Sequence, residues 1–485
     1  MSSFAIGSAS LVWLLIRTGT KPSRAAYPCQ RMAAANAAAW LGAAVVPLLV
    51  HRALAIWRGL TDRPRALMFA LPAAAAIIFG GAALARTAAP ADTSAAAGTQ
   101  SIQLQLNDRI VGPPAFSDVF AVNGTDGADA GVARLIQLLE NEGDGFYRRA
   151  ARGAGGRFAG VVGSDDVVLI KINAQWDQRG GTNTDLVRSL VVAIADHPDG
   201  FTGEIVIADN GQDRFGARGG GGSMEWRDNN AADRSQSIAD VVSELSGDLR
   251  VSAYLWDTIT RTRVAEYSDG DYTDGYVVAD APSASTGIIV SYPKFTTAYG
   301  TRVSFTHGIW DSETGRYDHD RLVVVNVPVL KSHAIYGVTA SVKHYMGVVS
   351  DKLTSHNAHR SVANGGMGTQ MAETRLPDLN IIDAIWINAR PGNGPGTNYA
   401  AATHTGIIAA SRDPVALDVW AAETILIPTA DALGYRGASA MDPRNDDGRR
   451  SFGRWLSLAA DELTGAGYPV TLDSGEVNVR AVNLR

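Results

Sequence analysis

The chain has 485 residues, which is enough for two or three domains with cores of ordinary size. Its composition, 46% hydrophobic and 19% charged, is typical of a folded chain that also has a membrane portion. Residues 1–86 carry nine Lys/Arg and one Asp, so the other 399 residues have 34 basic and 48 acidic groups, a balance of −14. This acidic body excludes nucleic acid as the main partner, because phosphate-backbone binding needs a basic face.

Two stretches near the N-terminus are long and uncharged. Residues 32–50 contain 19 uncharged residues and residues 66–85 contain 20, and each is long enough to cross a bilayer as a helix. We therefore predict a membrane anchor over residues 1–86 with two transmembrane helices. The alternative is a pair of buried helices in a soluble bundle. The loop 51–65 has four arginines and the segment before residue 32 has four basic residues, so the positive-inside rule nearly ties. We assign the loop to the cytoplasm, which predicts an inner-membrane protein whose C-terminal body is extracytoplasmic.

The single cysteine, Cys29, limits the chemistry that the chain can support. It excludes an internal disulfide and any cysteine-ligated zinc or iron–sulfur site within one chain. We therefore expect no iron–sulfur cluster from this chain. The other cofactors are unknown from the sequence, and a divalent metal is one candidate.

The remaining chain divides into a linker, residues 87–115, an α/β domain, residues 116–430, and a C-terminal extension, residues 431–485. Short strand patterns predict a β-rich insertion at 251–320. Strands are predicted at 116–122, 166–173, 204–208, 322–325, 380–386 and 406–410, and helices at 131–140, 185–195 and 414–426. The predicted fold is α/β, with a largely parallel or mixed sheet flanked by helices.

Residues 322–350 contain the most informative pattern in the chain. Four apolar residues, 322–325, predict a strand that is buried on both faces. Residues 331–333 are interpreted as a turn after that strand, and the apolar spacing in 338–349 predicts a helix. Thr339 and Lys343 would then share one face of that helix.

These residues resemble a family of bacterial and archaeal proteins, the "domain of unknown function 362" family. The resemblance covers roughly residues 117–428 and implies an α/β domain, but the chemistry of the family is unsettled. It rests on four stretches in the expected order: Pro328 to His333 with Thr339 and residues 343–347; residues 167–173 with Thr182 and Thr184; Asp383 with the glycine loop 392–396; and Asp413-Pro414 with Asp418.

Polar residues follow several predicted strands directly. If the sheet is largely parallel, the residues at these strand ends converge on its carboxyl edge, where ligands bind in open α/β sheets. Only six lysines occur among 43 basic residues. Lys171, Lys331 and Lys343 are nevertheless placed next to apolar positions, which predicts an anion site. The alternative is that their stems lie along core surface with the ammonium in water.

The candidate residues fall into three groups. The candidate catalytic residues are His333, as acid or base, with Lys331 and Asp383. The candidate substrate-binding residues are Lys171, Asn173, Thr182, Thr184, Lys343, Asn393 and Gly394, the last two in a loop whose backbone N–H groups can approach an anion. The candidate metal ligands are Asp209 and His344. For any one histidine a structural role is the alternative, and for Asp383 it is a structural ion pair.

These observations predict a membrane-anchored protein that acts on, or binds, an anionic small molecule at a lysine-lined site. The alternative function is a non-catalytic ligand-binding or sensory module tethered to the membrane. The sequence leaves open whether the chain is an enzyme, and it predicts no particular protein partner.

Overall fold

The computed structural model describes residues 100–111, 116–142, 145–149, 160–212 and 222–484. The two predicted transmembrane helices, 32–50 and 66–85, lie outside the described residues. Within the described ranges, no helix is both long enough and apolar enough to cross a membrane.

The described strands form three sheets, the largest with eleven strands. In chain order the strands are β1 (Gln100–Ser101), β2 (Ser117–Asn123), β3 (Tyr147–Arg148), β4 (Val162–Gly163), β5 (Val167–Lys171), β6 (Glu204–Asp209), β7 (Val251–Leu255), β8 (Gly275–Val278), β9 (Ser291–Thr296), β10 (Arg302–Ser304), β11 (Gly308–Asp311), β12 (Arg316–Asp318), β13 (Leu322–Asn326), β14 (Val329–His333), β15 (Gly337–Thr339), β16 (Leu379–Asn388), β17 (Thr403–Ser411) and β18 (Val477–Asn483).

Helices cover both faces of the large sheet. In chain order they are α1 (Gly131–Glu142), α2 (Thr184–Ala195), α3 (Ile238–Leu245), α4 (Ser341–His344), α5 (Asn357–Ser361), α6 (Gly366–Glu373), α7 (Pro414–Ala421), α8 (Ile427–Ala432) and α9 (Phe452–Gly465). A π-helical turn, Ala422–Leu426, joins α7 to α8, so this region is one interrupted helix.

The large sheet is mixed, with order β18-β2-β17-β16-β13-β5-β6-β7. β16, β13, β5, β6 and β7 are mutually parallel, and β17 runs antiparallel between β16 and β2. The predicted mixed α/β fold with a sheet between helices is therefore confirmed. Because β5 and β6 are parallel neighbours, their carboxyl ends open on the same edge.

The buried strands alternate between two apolar clusters. In β5, Val167 and Leu169 pack into one cluster and Val168 and Ile170 into the other. Successive side chains of a strand point to opposite faces, so a continuous apolar run is what a strand covered on both sides requires. One cluster packs against α1 and α2, and the other against α6, α7 and α9, where Trp455 is fully buried.

A second, antiparallel sheet has the order β12-β11-β10-β9-β8. Its buried aromatic residue Phe295, together with Phe305 just after β10, packs against Trp256 with ring centroids 5.8 and 6.1 Å apart. This sheet lies within the predicted insertion at 251–320. The first strand of that stretch, β7, pairs instead with β6 in the large sheet.

Residues 331–349 differ from the sequence prediction. The predicted turn at 331–333 is the end of β14, which pairs with β16 and with β15. The predicted helix over 338–349 is instead β15, the short helix α4 and a 3-10 turn, Tyr345–Gly347. Thr339 and Lys343 therefore do not share a helix face. Backbone pairing of Lys331 with Thr339 outweighed the apolar spacing that favoured a helix.

Candidate functional site

A cavity of about 270 Å³ lies at the carboxyl ends of β5 and β6, beside β14 and α4. All three lysines of the predicted anion site line it. The lining residues are Lys171, Asn173, Gln175, Trp176, Asp209, Asn210, Gln212, Lys331, His333, Thr339, Lys343, His344, Met346, Gly347, Asp351, His359 and Pro395. We call this space the lysine cavity.

Lys171, at the end of β5, is an ammonium group with a full set of partners. Its Nζ lies 2.9 Å from Oδ1 of Asp209 and donates to the carbonyl oxygens of His344, at 2.9 Å, and Ile172, at 3.1 Å. Burial lowers the pKa of Lys171, and the carboxylate of Asp209 opposes that shift. The three acceptors match the three N–H groups of a lysine, so this residue is held in place by the protein itself.

Lys331, in β14, is fully buried and has a different environment. Its Nζ donates to the carbonyl oxygen of Gly180 at 2.6 Å and lies 6.0 Å from the ring centroid of Trp176. No carboxylate in the described ranges forms a salt bridge with it. Burial lowers the pKa of Lys331 to about 7, and the positive charge of Lys343 adds to this shift.

Lys343, in α4, is 6% exposed and has still fewer partners. Its Nζ lies 5.4 Å from the ring centroid of Tyr336, and its ammonium makes no hydrogen bond or salt bridge to any described residue. Burial lowers the pKa of Lys343 to about 8, and the charge of Asp351 opposes this shift. Two of the three lysines thus place a cation beside the cavity without a bonded carboxylate.

His333, the last residue of β14, is a neutral hydrogen-bond donor. Its Nδ1 accepts the backbone N–H groups of Ile335, at 3.0 Å, and Tyr336, at 3.2 Å. The proton of the neutral ring is therefore on Nε2. Burial, together with the charge of Lys343, holds the pKa of His333 well below its usual range, so the ring is neutral near pH 7.

His344, in α4, has the opposite tautomer. Its Nδ1 lies 2.7 Å from Oδ1 of Asn326, and the amide nitrogen of Asn326 donates elsewhere, to the Ser341 carbonyl and to Asn380. Nδ1 of His344 therefore carries the proton, and Nε2 has a lone pair. The Ile172 carbonyl interacts with the ring, but no described group meets hydrogen-bond geometry at Nε2. Burial lowers the pKa of His344 well below its usual range.

Some predicted site residues form the wall behind the cavity and do not line it. Oγ1 of Thr182 accepts the Asn173 backbone N–H at 2.8 Å and donates to the Val327 carbonyl at 2.9 Å. Thr184 donates to the Gln236 carbonyl at 3.2 Å. Thr182 therefore fixes the loop between β5 and α2, and Thr184 joins the start of α2 to the segment before α3.

Asp383 also lies outside the cavity lining. Its carboxylate accepts the backbone N–H groups of Asn183, at 2.8 Å, and Ile385, at 3.1 Å. It is neither on the cavity wall nor part of a salt bridge to a described residue, and burial raises its pKa to about 6. Through its hydrogen bond to the Asn183 backbone, Asp383 holds the loop before α2.

The glycine loop after β16 packs against β14, and the predicted site residues Asn393 and Gly394 do not line the cavity. A Cβ on Gly394 would lie 1.8 Å from the Ser332 carbonyl oxygen, so only glycine fits that approach. Oδ1 of Asn393 accepts a hydrogen bond from Asn388 at 3.0 Å. Pro395, the next residue, is the part of this loop that lines the cavity.

The two candidate metal ligands, Asp209 and His344, line the same cavity. Asp209 is engaged by Lys171, and its Oδ2 accepts the Ala174 backbone N–H at 2.7 Å. Nowhere in the described part of the chain do three or more His, Cys, Asp or Glu side chains cluster in a way that could hold a metal ion.

Residues 317–423 match the family described as "Domain of unknown function (DUF362)". This confirms the family resemblance for that segment, which contains Lys331, His333, Lys343 and His344 but stops short of Lys171. The chain is also similar to "Thylakoid-associated protein sll1697" of Synechocystis sp. (strain ATCC 27184 / PCC 6803 / Kazusa), at 36% identity over 128 residues. That similarity covers 24% of this chain and 39% of the relative. No solved structure matches the chain.

Several cavity residues carried no clear signal in the sequence. Trp176 follows β5 in a loop that has no motif, and Asp351 and His359 lie beyond the predicted helix of the DUF362 segment. Seven histidines, including His359, lie between residues 307 and 404 of the sequence. That concentration is the one sequence feature that pointed to His359. Its pKa is lowered to about 4 by burial, with Lys343 contributing.

A wider hollow of about 860 Å³ lies along β10 to β12. Its lining includes Asp311, Glu313 and Arg316, which are exposed to solvent, and Asp311 is bonded within its own turn. Its lining does not include buried lysines without a carboxylate partner such as Lys331 and Lys343, so the lysine cavity is the better candidate site.

Proposed function

We propose that this chain binds a small anionic molecule in the lysine cavity and acts on it as an enzyme. The observation that carries the proposal is the pair of buried ammonium groups, Lys331 and Lys343, which no described carboxylate neutralises through a salt bridge. Placing an uncompensated charge in the protein interior costs several kcal/mol. A bound anion offsets that cost.

The other groups in the cavity favour a carboxylate or phosphate as the anionic part. His333 presents a neutral Nε2–H donor near the same lysines, and a charge-assisted hydrogen bond to an anion is stronger than a neutral one. The volume of about 270 Å³ lies just below the lower end of ligand pockets, roughly 300 Å³, so the cavity suits a small metabolite.

The two neutral imidazoles favour an enzyme over a non-catalytic binding or sensory module. Nε2–H of His333 can donate a hydrogen bond to a substrate oxygen, and Nε2 of His344 keeps an unbonded lone pair. Positioned donors and acceptors of this kind support general acid–base catalysis. A binding module needs the lysines but has no need for a second imidazole in the opposite tautomer.

Anion binding is tested with the purified full-length chain and the variant Lys343→Met. Calorimetry with inorganic phosphate, and with a small carboxylate such as pyruvate, should show at least one ligand bound by the wild type and a loss of at least tenfold in affinity in the variant. The loss is expected because the variant removes a buried cation that has no protein hydrogen-bond partner.

Lys352→Met is the matched control, because Lys352 is exposed and does not line the cavity. It should bind like the wild type. Equal affinity in Lys343→Met and Lys352→Met would contradict the proposal. Binding without turnover across a panel of phosphorylated and carboxylated metabolites would assign the alternative, a ligand-binding module.

We also propose that residues 1–86 anchor the chain in the inner membrane, with the α/β body outside the cytoplasm. The support is the length of the two uncharged stretches, the basic loop between them and a similar protein named thylakoid-associated. A C-terminal alkaline phosphatase fusion should be active and a C-terminal green fluorescent protein fusion dark. The reverse pattern would place the body in the cytoplasm.

A further inference from the structure

We propose that Lys331 is a nucleophile that forms a Schiff base with a carbonyl compound carrying a carboxylate or phosphate group. This inference rests on the proposed function and assigns the reaction type and the substrate class. It starts from the different surroundings of the three lysines in one cavity.

The contacts separate Lys331 from the other two lysines. Lys171 forms an ion pair with Asp209 and donates to two carbonyl oxygens, so the protein itself supplies its partners. Lys343 has no hydrogen bond, but the charge of Asp351 favours its ammonium form. Lys331 makes a single hydrogen bond, to the Gly180 carbonyl, which a neutral amine can also donate.

A neutral amine is what imine formation requires, because an ammonium group has no lone pair. Lys331 is fully buried, and burial together with the charge of Lys343 lowers its pKa, although the carboxylates of Asp209 and Asp383 oppose that shift. Desolvation together with a neighbouring cation is an established way to activate a lysine nucleophile. The resulting pKa of about 7 leaves a large fraction of neutral amine at pH 7 to 8.

The neighbouring groups supply the other functions of the step. The Lys343 ammonium holds the carboxylate or phosphate of the substrate, and Nε2–H of His333 donates to the carbonyl oxygen. A neutral imidazole acting as an electrophile on a carbonyl has precedent in other enzymes.

The step balances without a redox partner. The Nζ lone pair attacks the carbonyl carbon, and the carbonyl π electrons move to oxygen, which takes a proton. The proton that Nζ gives up at the same stage passes to that oxygen, so the product is a neutral carbinolamine. A second proton, taken from solvent, converts the hydroxyl group to water as the C–O bond breaks, and the nitrogen lone pair forms the C=N bond of a protonated imine.

Reductive trapping tests the inference on the full-length protein. The chain is incubated with pyruvate or dihydroxyacetone phosphate, treated with sodium borohydride, digested and mapped by mass spectrometry. We expect a reduced adduct on Lys331 from at least one probe, and at least tenfold less adduct from acetone, which lacks an acid group for Lys343 to hold.

Two variants separate chemistry from binding. Lys331→Arg keeps a cation, so it should still bind the probe in calorimetry, but it cannot form an imine and should give no adduct. Lys352→Met should be trapped like the wild type. Circular dichroism of each variant checks that the fold is retained.

The outcomes distinguish this inference from the proposed function. Probe binding with no adduct at Lys331, or an adduct spread equally over Lys331, Lys294 and Lys352, overturns the Schiff base and leaves anion binding in place. Absence of both binding and trapping for the two probes and for phosphate overturns the proposed function as well.

Discussion

The three cavity lysines have the same side chain, yet each has a different set of partners. Lys171 is neutralised by Asp209, Lys331 bonds only to a backbone carbonyl, and Lys343 lies over the ring of Tyr336. Because lysine is scarce in this arginine-rich chain, we predicted that these three lysines share one site, and all three line the same cavity. The division of roles was not predictable, because it depends on which acceptors from distant segments reach each ammonium group.

Gly347 has no side chain, which leaves room for the ion pair between Lys171 and Asp209. A Cβ at this position would lie 2.1 Å from Oδ1 of Asp209 and 2.3 Å from Nζ of Lys171. We predict that Gly347→Ala separates this buried ion pair, lowers the free energy of unfolding by about 3–5 kcal/mol and weakens anion binding. Urea denaturation and calorimetry measure the two effects.

Gly465 provides the control for that substitution. Nothing lies within 4 Å of a Cβ at Gly465, and it ends α9, far along the chain from the cavity segments. Gly465→Ala should be neutral or stabilise the fold by about 0.4–1 kcal/mol, since it restricts the unfolded chain. If both alanine variants had the same free energy of unfolding as the wild type, the close approach at Gly347 would not contribute to stability.

At the scale of elements, the sequence predicted the regular strands and helices better than the segment that forms the site. The runs 167–170 and 322–325 are continuous and apolar, so a strand covered on both faces was the natural interpretation, and the structure has β5 and β13 there. Residues 331–347 failed as a prediction because β14 and β15 are held by pairing with β16 and with each other. Such long-range pairing leaves little trace in local spacing.

The helix α4 shows how one element positions the site. It has only four residues and no side-chain cap of its own, yet it carries Lys343 and His344. Asp418, from α7, caps it instead, accepting the backbone N–H groups of Ser341 at 2.6 Å and Val342 at 3.0 Å. The resemblance had singled out Asp418, and its physical function is to hold this short helix against α7.

We predict that Asp418→Asn loosens α4 and weakens anion binding. The amide nitrogen of asparagine faces a backbone N–H, which leaves a buried donor without a partner at a cost of about 1–3 kcal/mol. Asp413→Asn is the matched control, because Asp413 is also a buried capping residue but serves α7 and Thr471. Both variants should lower stability, and only Asp418→Asn should also lower affinity.

At the scale of the whole molecule, the parallel arrangement of β5, β6, β13 and β16 accounts for the position of the cavity. The sequence predicted that polar residues at the carboxyl ends of parallel strands would meet, and Lys171, Asn173 and Asp209 do. Asp383, which was predicted as a catalytic residue and not as a strand-end residue, does not line the cavity. It lies in the middle of β16, a ten-residue strand, where its carboxylate reaches the loop before α2.

Buried lysines also make the stability of the whole fold depend on pH. The folded-state pKa is about 7 for Lys331 and about 8 for Lys343, below the value of about 10.4 for an unfolded chain. Between these values the unfolded state binds more protons than the folded state, so the contribution of these lysines to stability rises with pH. Their contribution is least favourable below pH 7, where both are charged while buried.

Lys331→Met should therefore stabilise the ligand-free protein at pH 6, by about 1–4 kcal/mol, because an apolar side chain of similar length replaces a buried charge. The gain should shrink at pH 9, where most of the wild-type lysine is already neutral. Urea denaturation at the two pH values measures the difference, and comparing variant with wild type cancels other titrating groups such as Asp418. Added phosphate should reduce the gain at pH 6, since it stabilises the wild type by binding the folded state. A variant that is destabilised equally at both pH values would mean that Lys331 is not an uncompensated buried cation.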